Sequence, residues 1–121
     1  MAASDKTNSS EARDTAVLEL LYSTGMRSSE IVGLVLDDVD MVNRSLRILG
    51  KGRKERWTPF GSHAFLAITR YLSERSRSAG KDPLFLGLRG GHLSDRNVRR
   101  IVARGLARAS IRTKASTHTL R

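Results

Sequence analysis

The chain has 121 residues, 39% of them apolar, and 22 Lys and Arg against 12 Asp and Glu give it a net charge of +10. That length suits one domain with a single modest core, and that charge calls for a polyanionic partner, nucleic acid ahead of an anionic surface. Without cysteine there are no disulfides or thiolate metal sites, and His63, His92 and His118 are too scattered for a metal-binding spacing, so neither a metal nor another cofactor is expected.

Residues 1–10 are small and polar without periodicity, and read as a disordered lead before a folded part over 11–121. They have neither the apolar stretch of a signal peptide nor the Arg-rich amphipathic character of a transit peptide, and nowhere does an apolar run reach the roughly 18 residues needed to span a membrane. The expectation is a soluble protein of the bacterial cytoplasm or nucleoid, with no membrane partner. From Ser10, Ala16, Val17, Leu20 and Leu21 recur at helical spacing, with Glu11 and Asp14 near the start and Gly25 just past the end, which predicts a first helix. A tight turn over 24–27 leads into a short helix over 28–34, capped by Ser28 or Ser29 and favoured by Glu30 at its positive end. Arg27 then stands between two helix ends. Residues 36–40 read as a loop or short strand, and 45–49 alternates polar with apolar residues before Gly50-Lys51-Gly52. A return strand over 55–58, ended by Pro59, completes a β-hairpin with Lys51, Gly52, Arg53 and Lys54 at its tip.

Ser62 is the expected cap of a helix with Phe65, Ile68, Tyr71 and Leu72 on one face, which fades before Gly80. Residues 83–86 form a short buried run, 89–91 a turn, and Ser94 caps a last long helix. That helix sets an apolar stripe of Val98, Ile101, Val102, Gly105, Leu106 and Ala109 against Arg96, Arg100, Arg104 and Arg108, with Arg99 beside them. A turn over 113–115 follows, and 116–121 announces a further helix. Trp57 and Tyr71 sit in amphipathic patterns and are expected in the core, as is Tyr22 on the apolar face of the first helix.

Basic side chains in this arrangement suit chemistry at phosphorus, where charge develops on non-bridging oxygens. Arginine meets that demand because its planar fork grips two oxygens and keeps its proton. Three blocks carry a resemblance: Ser23-Thr24-Gly25-Met26-Arg27-Ser28-Ser29-Glu30, Gly50-Lys51-Gly52-Arg53-Lys54-Glu55-Arg56 and His118-Thr119-Leu120-Arg121. In order and spacing they resemble the tyrosine site-specific recombinases, or phage integrases, closest to the Xer-type branch that resolves chromosome dimers, from about Ala12 to Arg121. The resemblance implies an α+β catalytic domain, mainly helical with a small antiparallel sheet. It makes Arg27 and Arg121 the clamp on the scissile phosphate, Lys51 the general acid for the leaving 5′ oxygen and His118 a proton-transfer and phosphate-contact residue. Lys51, flanked by glycines, is preferred to Lys54 in that role. It also sends the last helix into the major groove of duplex DNA, with Arg96 and Arg99 nearest base edges and Arg100, Arg104 and Arg108 along phosphates. Arg53 and Lys54 add DNA contacts at the hairpin tip, and Glu30 is read as a support for Arg27 or for the helix start, not as a base.

Such recombinases cut and rejoin DNA through a 3′-phosphotyrosyl intermediate, as tetramers on two DNA sites. Two features of the family are not found in this sequence: the segment bearing the nucleophilic tyrosine and the N-terminal core-binding domain. The expectation is therefore a piece of the catalytic domain truncated at the C-terminus, inactive by itself and monomeric off DNA. The alternative is a non-catalytic integrase remnant that binds DNA as an accessory factor.

Overall fold

The computed structural model describes the backbone of residues 2–50, 54–75, 80–87 and 91–120, and the side chains of 10–50, 54–75, 80–87 and 91–109. The described residues form four helices and a three-stranded sheet: α1 (Ala2–Thr24), α2 (Ser28–Val32), β1 (Val39–Asp40), β2 (Ser45–Leu49), β3 (Glu55–Pro59), α3 (Ser62–Glu74) and α4 (Asp95–Leu120). A single 3-10 turn, Leu36–Asp38, precedes β1.

The first helix buries Ala12, Ala16, Val17 and Leu20, positions four, five and eight apart that make one stripe. That stripe packs mainly against α3, whose Ala64, Ala67, Ile68 and Tyr71 are buried. Both helices have small residues where they meet, so their backbones approach and the larger side chains interleave. Where α1 ends, Gly25 adopts φ +70 and its N–H donates to the Leu21 carbonyl, a glycine stop that a side chain would strain. The Ser23 hydroxyl accepts the Gly61 N–H at 2.8 Å and ties the end of α1 to the start of α3.

The strands run antiparallel in the order β1-β2-β3, with Leu46 opposite Thr58 and Ile48 opposite Arg56. Leu46 and Ile48 point into the core, whereas Arg47 and its partner Trp57 share the outward face. Trp57 is therefore 55% exposed, and its expected place in the core is corrected by the register. Tyr22 is 92% exposed for a similar reason. It falls about 200° around α1 from Leu20, away from the buried stripe.

Segment 80–87 fastens the lower part of the core. Leu84 and Phe85 are buried, as 83–86 predicted, and Phe85 stacks on Tyr71 at 5.4 Å between ring centroids. The Tyr71 hydroxyl accepts the Leu86 N–H, Arg75 donates to the Pro83 and Leu84 carbonyls, and Leu84 N–H reaches the Leu34 carbonyl.

The largest differences from expectation lie at the two ends of the chain, although α2 also stops at Val32 and not at Leu34. The first helix starts at Ala2 and not near Ser10, so residues 2–9 are helical backbone and not a disordered lead. The last helix runs unbroken to Leu120 through the expected turn at 113–115. In both places the reason is the same: a helix already nucleated gains one hydrogen bond for each residue it adds, and neither stretch contains the glycine or proline that would stop it. The start of α4 is as expected, with Ser94 accepting the Asn97 N–H on its hydroxyl. Val98 and Ile101 are buried and Val102 partly so, but Leu106 is 66% exposed although it lies on the expected apolar stripe; its neighbour Gly105 is the residue that meets Leu18 of α1.

Candidate functional site

Arg27 is held by its backbone, and its side chain is exposed. Its φ and ψ, −81 and 153, are extended, and it serves as the N-cap of α2. Its carbonyl accepts the Glu30 and Ile31 N–H groups, and its own N–H donates to Glu30 Oε1 at 2.8 Å. The cap is thus supplied by the carboxylate at the third helical position, reaching back, and neither Ser28 nor Ser29 takes that part. A buried neighbour, Met26, anchors the preceding residue. The Arg27 guanidinium is exposed and makes no ion pair with any described residue.

The hairpin of β2 and β3 rises beside this helix start. A shallow depression is lined by Arg27, Ser29 and Glu30 from α2 and by Leu49 and Gly50 from the end of β2. The Gly50 N–H donates to the Lys54 carbonyl at 2.9 Å, which closes the stem just below the tip. Lys54 is exposed on the returning arm. From β3, Arg56 reaches across to Glu30, with Nη1 to Oε2 at 3.0 Å and Nη2 to Oε1 at 3.4 Å. The Arg56 guanidinium holds the Glu30 carboxylate below its ordinary pKa, against the upward pull of burial, and the Arg27 N–H works in the same direction.

On α4 the basic side chains Arg96, Arg99, Arg100, Arg104 and Arg108 are exposed. Among the described residues, two of them have ion-pair partners: Arg99 bonds Asp95 one turn before it at 2.9 Å, and Arg104 approaches Asp14 of α1 at 3.5 Å. Arg104 therefore helps to join α4 to α1, which its place in a regular comb of arginines does not reveal.

A profile of the Phage integrase family matches residues 1–121. The chain belongs to the phage integrase family. Among members of this family it is similar to the tyrosine recombinase XerC of Corynebacterium efficiens, 49% identical over 117 residues, covering 89% of this chain and 38% of that protein. Against XerC of Actinobacillus pleuropneumoniae it is 40% identical over 119 residues, 98% of this chain and 39% of the relative. The chain thus spans well under half the length of the recombinases it matches. Its fold is similar to that of the XerA recombinase crystal structure, with TM-score 0.68, 25% identity and 81% of this chain covered against 36% of that one. The integrase from mycobacterium phage Brujita shares the fold at TM-score 0.61 and 20% identity, over 82% of this chain and 32% of that one.

For an integrase-family chain, the structure brings Arg27 beside Leu49 and Gly50, at the foot of the β2–β3 hairpin. Lys51, Arg53, Arg121 and the His118 side chain lie outside the described residues, so their places in the site are not given by the fold. Arg56 was not among the residues singled out by sequence. Its signal was present but weak: an arginine alternating with outward Trp57, on the strand face that turns toward α2.

Proposed function

We propose that this chain is the phosphate-binding part of a site-specific tyrosine recombinase, in which Arg27, Lys51, His118 and Arg121 converge on one scissile phosphodiester. The observation that carries this reading is Arg27 itself, fixed at three backbone hydrogen bonds yet presenting a guanidinium with no ion-pair partner among the described residues, beside the hairpin that bears Lys51. A side chain oriented before the ligand arrives loses less entropy on binding, and a guanidinium fork suits two non-bridging oxygens.

In the whole protein the reaction is cutting and rejoining of DNA through a 3′-phosphotyrosyl intermediate. Arg27 and Arg121 stabilise the charge that gathers on the phosphate oxygens, Lys51 protonates the departing 5′ oxygen, and His118 contacts the phosphate and shuttles a proton. Arg96 and Arg99 at the start of α4 face base edges in the major groove, while Arg100, Arg104, Arg53 and Lys54 follow the backbone. Solved transposon Tn1549 integrase complexes with circular intermediate DNA and with transposon right end DNA share this fold and support a duplex DNA partner. Assembly as a tetramer on two DNA sites in the cytoplasm belongs to the whole protein, and the 121-residue chain alone is monomeric off DNA and does not cleave it. Neither of its tyrosines suits the nucleophile: Tyr71 is buried with its hydroxyl already accepting the Leu86 N–H, and Tyr22 projects from the outer side of α1.

Two experiments test this. Incubation with a nicked, trapped recombination substrate should yield no covalent protein–DNA adduct from this chain, and an adduct would overturn the claim of inactivity. In a DNA-binding titration, the triple variant Arg27→Ala, Lys51→Ala, Arg121→Ala should flatten the slope of log K against log salt by about one for each phosphate that the protein no longer neutralises. An unchanged slope would sink the assigned site.

A further inference from the structure

The Glu30 carboxylate is used twice. One oxygen takes the Arg27 N–H at 2.8 Å, and the other takes Arg56 Nη1 at 3.0 Å. The first bond is the local cap of α2 and needs no second partner. The second comes from a strand far away in sequence, and the Glu30 side chain is only 13% exposed where it receives it. Ile48 faces Arg56 across the ladder, which puts the guanidinium on the α2 side of the sheet, next to Gly50, where a Cβ would lie in ordinary contact with Arg56 Nη1 at 3.5 Å.

An unpaired carboxylate three residues after Arg27 would have an obvious alternative use. Residues three apart on a helix are neighbours, so Glu30 could draw the Arg27 guanidinium down onto itself. It would also repel any phosphate approaching the same depression, at a distance of only a few ångströms where screening is weak. With Arg56 bonded to both of its oxygens, Glu30 is neutralised and occupied, and the Arg27 guanidinium remains without an ion-pair partner among the described residues.

We propose that Arg56 is a positioning residue for Arg27 that acts through Glu30, occupying the carboxylate so that the Arg27 guanidinium stays turned out toward a DNA phosphate. This rests on the phosphate-binding role of Arg27 given above. It makes three residues on two elements one unit: Arg56 holds Glu30, Glu30 holds the Arg27 backbone, and the Arg27 side chain is left for the ligand.

The test measures binding of a duplex oligonucleotide by fluorescence anisotropy at several salt concentrations, with a thermal melt of each variant. Arg27→Ala should weaken binding about tenfold and lower the salt slope by about one, as removal of a single charge-assisted bond to phosphate would. Arg56→Met should produce much of that weakening although Arg27 is still present, because Arg27 then folds onto Glu30. The decisive variant is Arg56→Met combined with Glu30→Gln, whose amide oxygen still accepts the Arg27 N–H but attracts no cation. It should bind to within about twofold of the parent, well under the tenfold that 1.4 kcal/mol represents. A double variant as weak as Arg56→Met overturns the proposal, since a direct phosphate contact by Arg56 or a purely structural role would not be rescued by removing the carboxylate. Parent-like binding by Arg56→Met overturns it as well. If Arg56→Met fails to melt cooperatively, Arg56→Lys serves in its place: it keeps the charge on Glu30 and should bind like the parent, and a folded Arg56→Lys as weak as Arg27→Ala counts against the proposal. Should Arg27→Ala itself leave affinity and slope unchanged, the phosphate-binding reading fails first, and that result is distinct from the others.

Discussion

Glu30 ionises under the influence of two donors, so its titration reports on both. Its folded-state pKa lies below the ordinary value of 4.5, chiefly through the Arg56 hydrogen bond. The sign follows from linkage: the unfolded chain binds the proton more readily, so the stability contributed by Glu30 is complete above 4.5 and is lost as pH falls through the lower folded value. Glu30→Gln should therefore destabilise the fold by about 1 kcal/mol at neutral pH, limited by the half-exposed Arg56, and the gap to the parent should close in acid, once the folded parent's carboxylate is protonated as well. Urea unfolding at both pH values measures it, and a gap that persists in acid would show that the charge is irrelevant. At the other end of the core, Tyr71→Phe leaves the Leu86 N–H without its acceptor. A destabilisation of about 1–3 kcal/mol in the same assay is expected.

Elements meet in ways that set narrower tolerances. A Cβ on Gly105 of α4 would lie 2.9 Å from both methyls of Leu18 on α1, so the two helices touch through a glycine. Gly105→Leu should push them apart and cost about 1–3 kcal/mol by overpacking, despite leucine's better helix propensity; a rise in melting temperature would refute the close crossing. Ser94→Ala, which deletes the hydroxyl that accepts the Asn97 N–H, should cost about 1 kcal/mol. Most of these elements were legible from their patterns. The strand at 45–49 and the helix after Gly61 came out where alternation and 3.6-residue spacing placed them, whereas β3 runs on through Pro59, one residue past its expected end, and Gly61, not Ser62, is the N-cap of α3, with no side-chain bond capping it. The cap of α2 was not, because two serines in sequence look like caps whereas the bond that forms comes from a carboxylate further along.

For the molecule as a whole, charge and exposed apolar surface oppose each other. The net charge of +10 keeps copies apart and attracts polyanions, while Leu49, Trp57, Leu66 and Leu106 are each more than half exposed. Salt near 1 M shortens the screening length to about 3 Å, so light scattering should reveal self-association there that is absent at low salt. Replacing Leu66 and Trp57 with serine should abolish it, and association that survives these changes would place the interface elsewhere. DNA binding should move the opposite way with salt, because it depends on counterion release and not on apolar burial.

The sequence by itself determined the family and most of the element types. Those properties are local: periodicity records which face of a helix or strand is apolar, and a motif such as Ser23 to Glu30 carries its own turn, cap and charged side chain within eight residues. Only the tertiary structure decided which of the charges are spent on one another. Arg56 and Glu30 are 26 residues apart, and Arg104 and Asp14 lie on different helices, so these pairs depend on strand register and helix crossing, which no short-range pattern encodes. The exposure of Trp57 and Tyr22 was settled by the same long-range geometry, since an amphipathic pattern says that a residue has a face but not which neighbour will cover it.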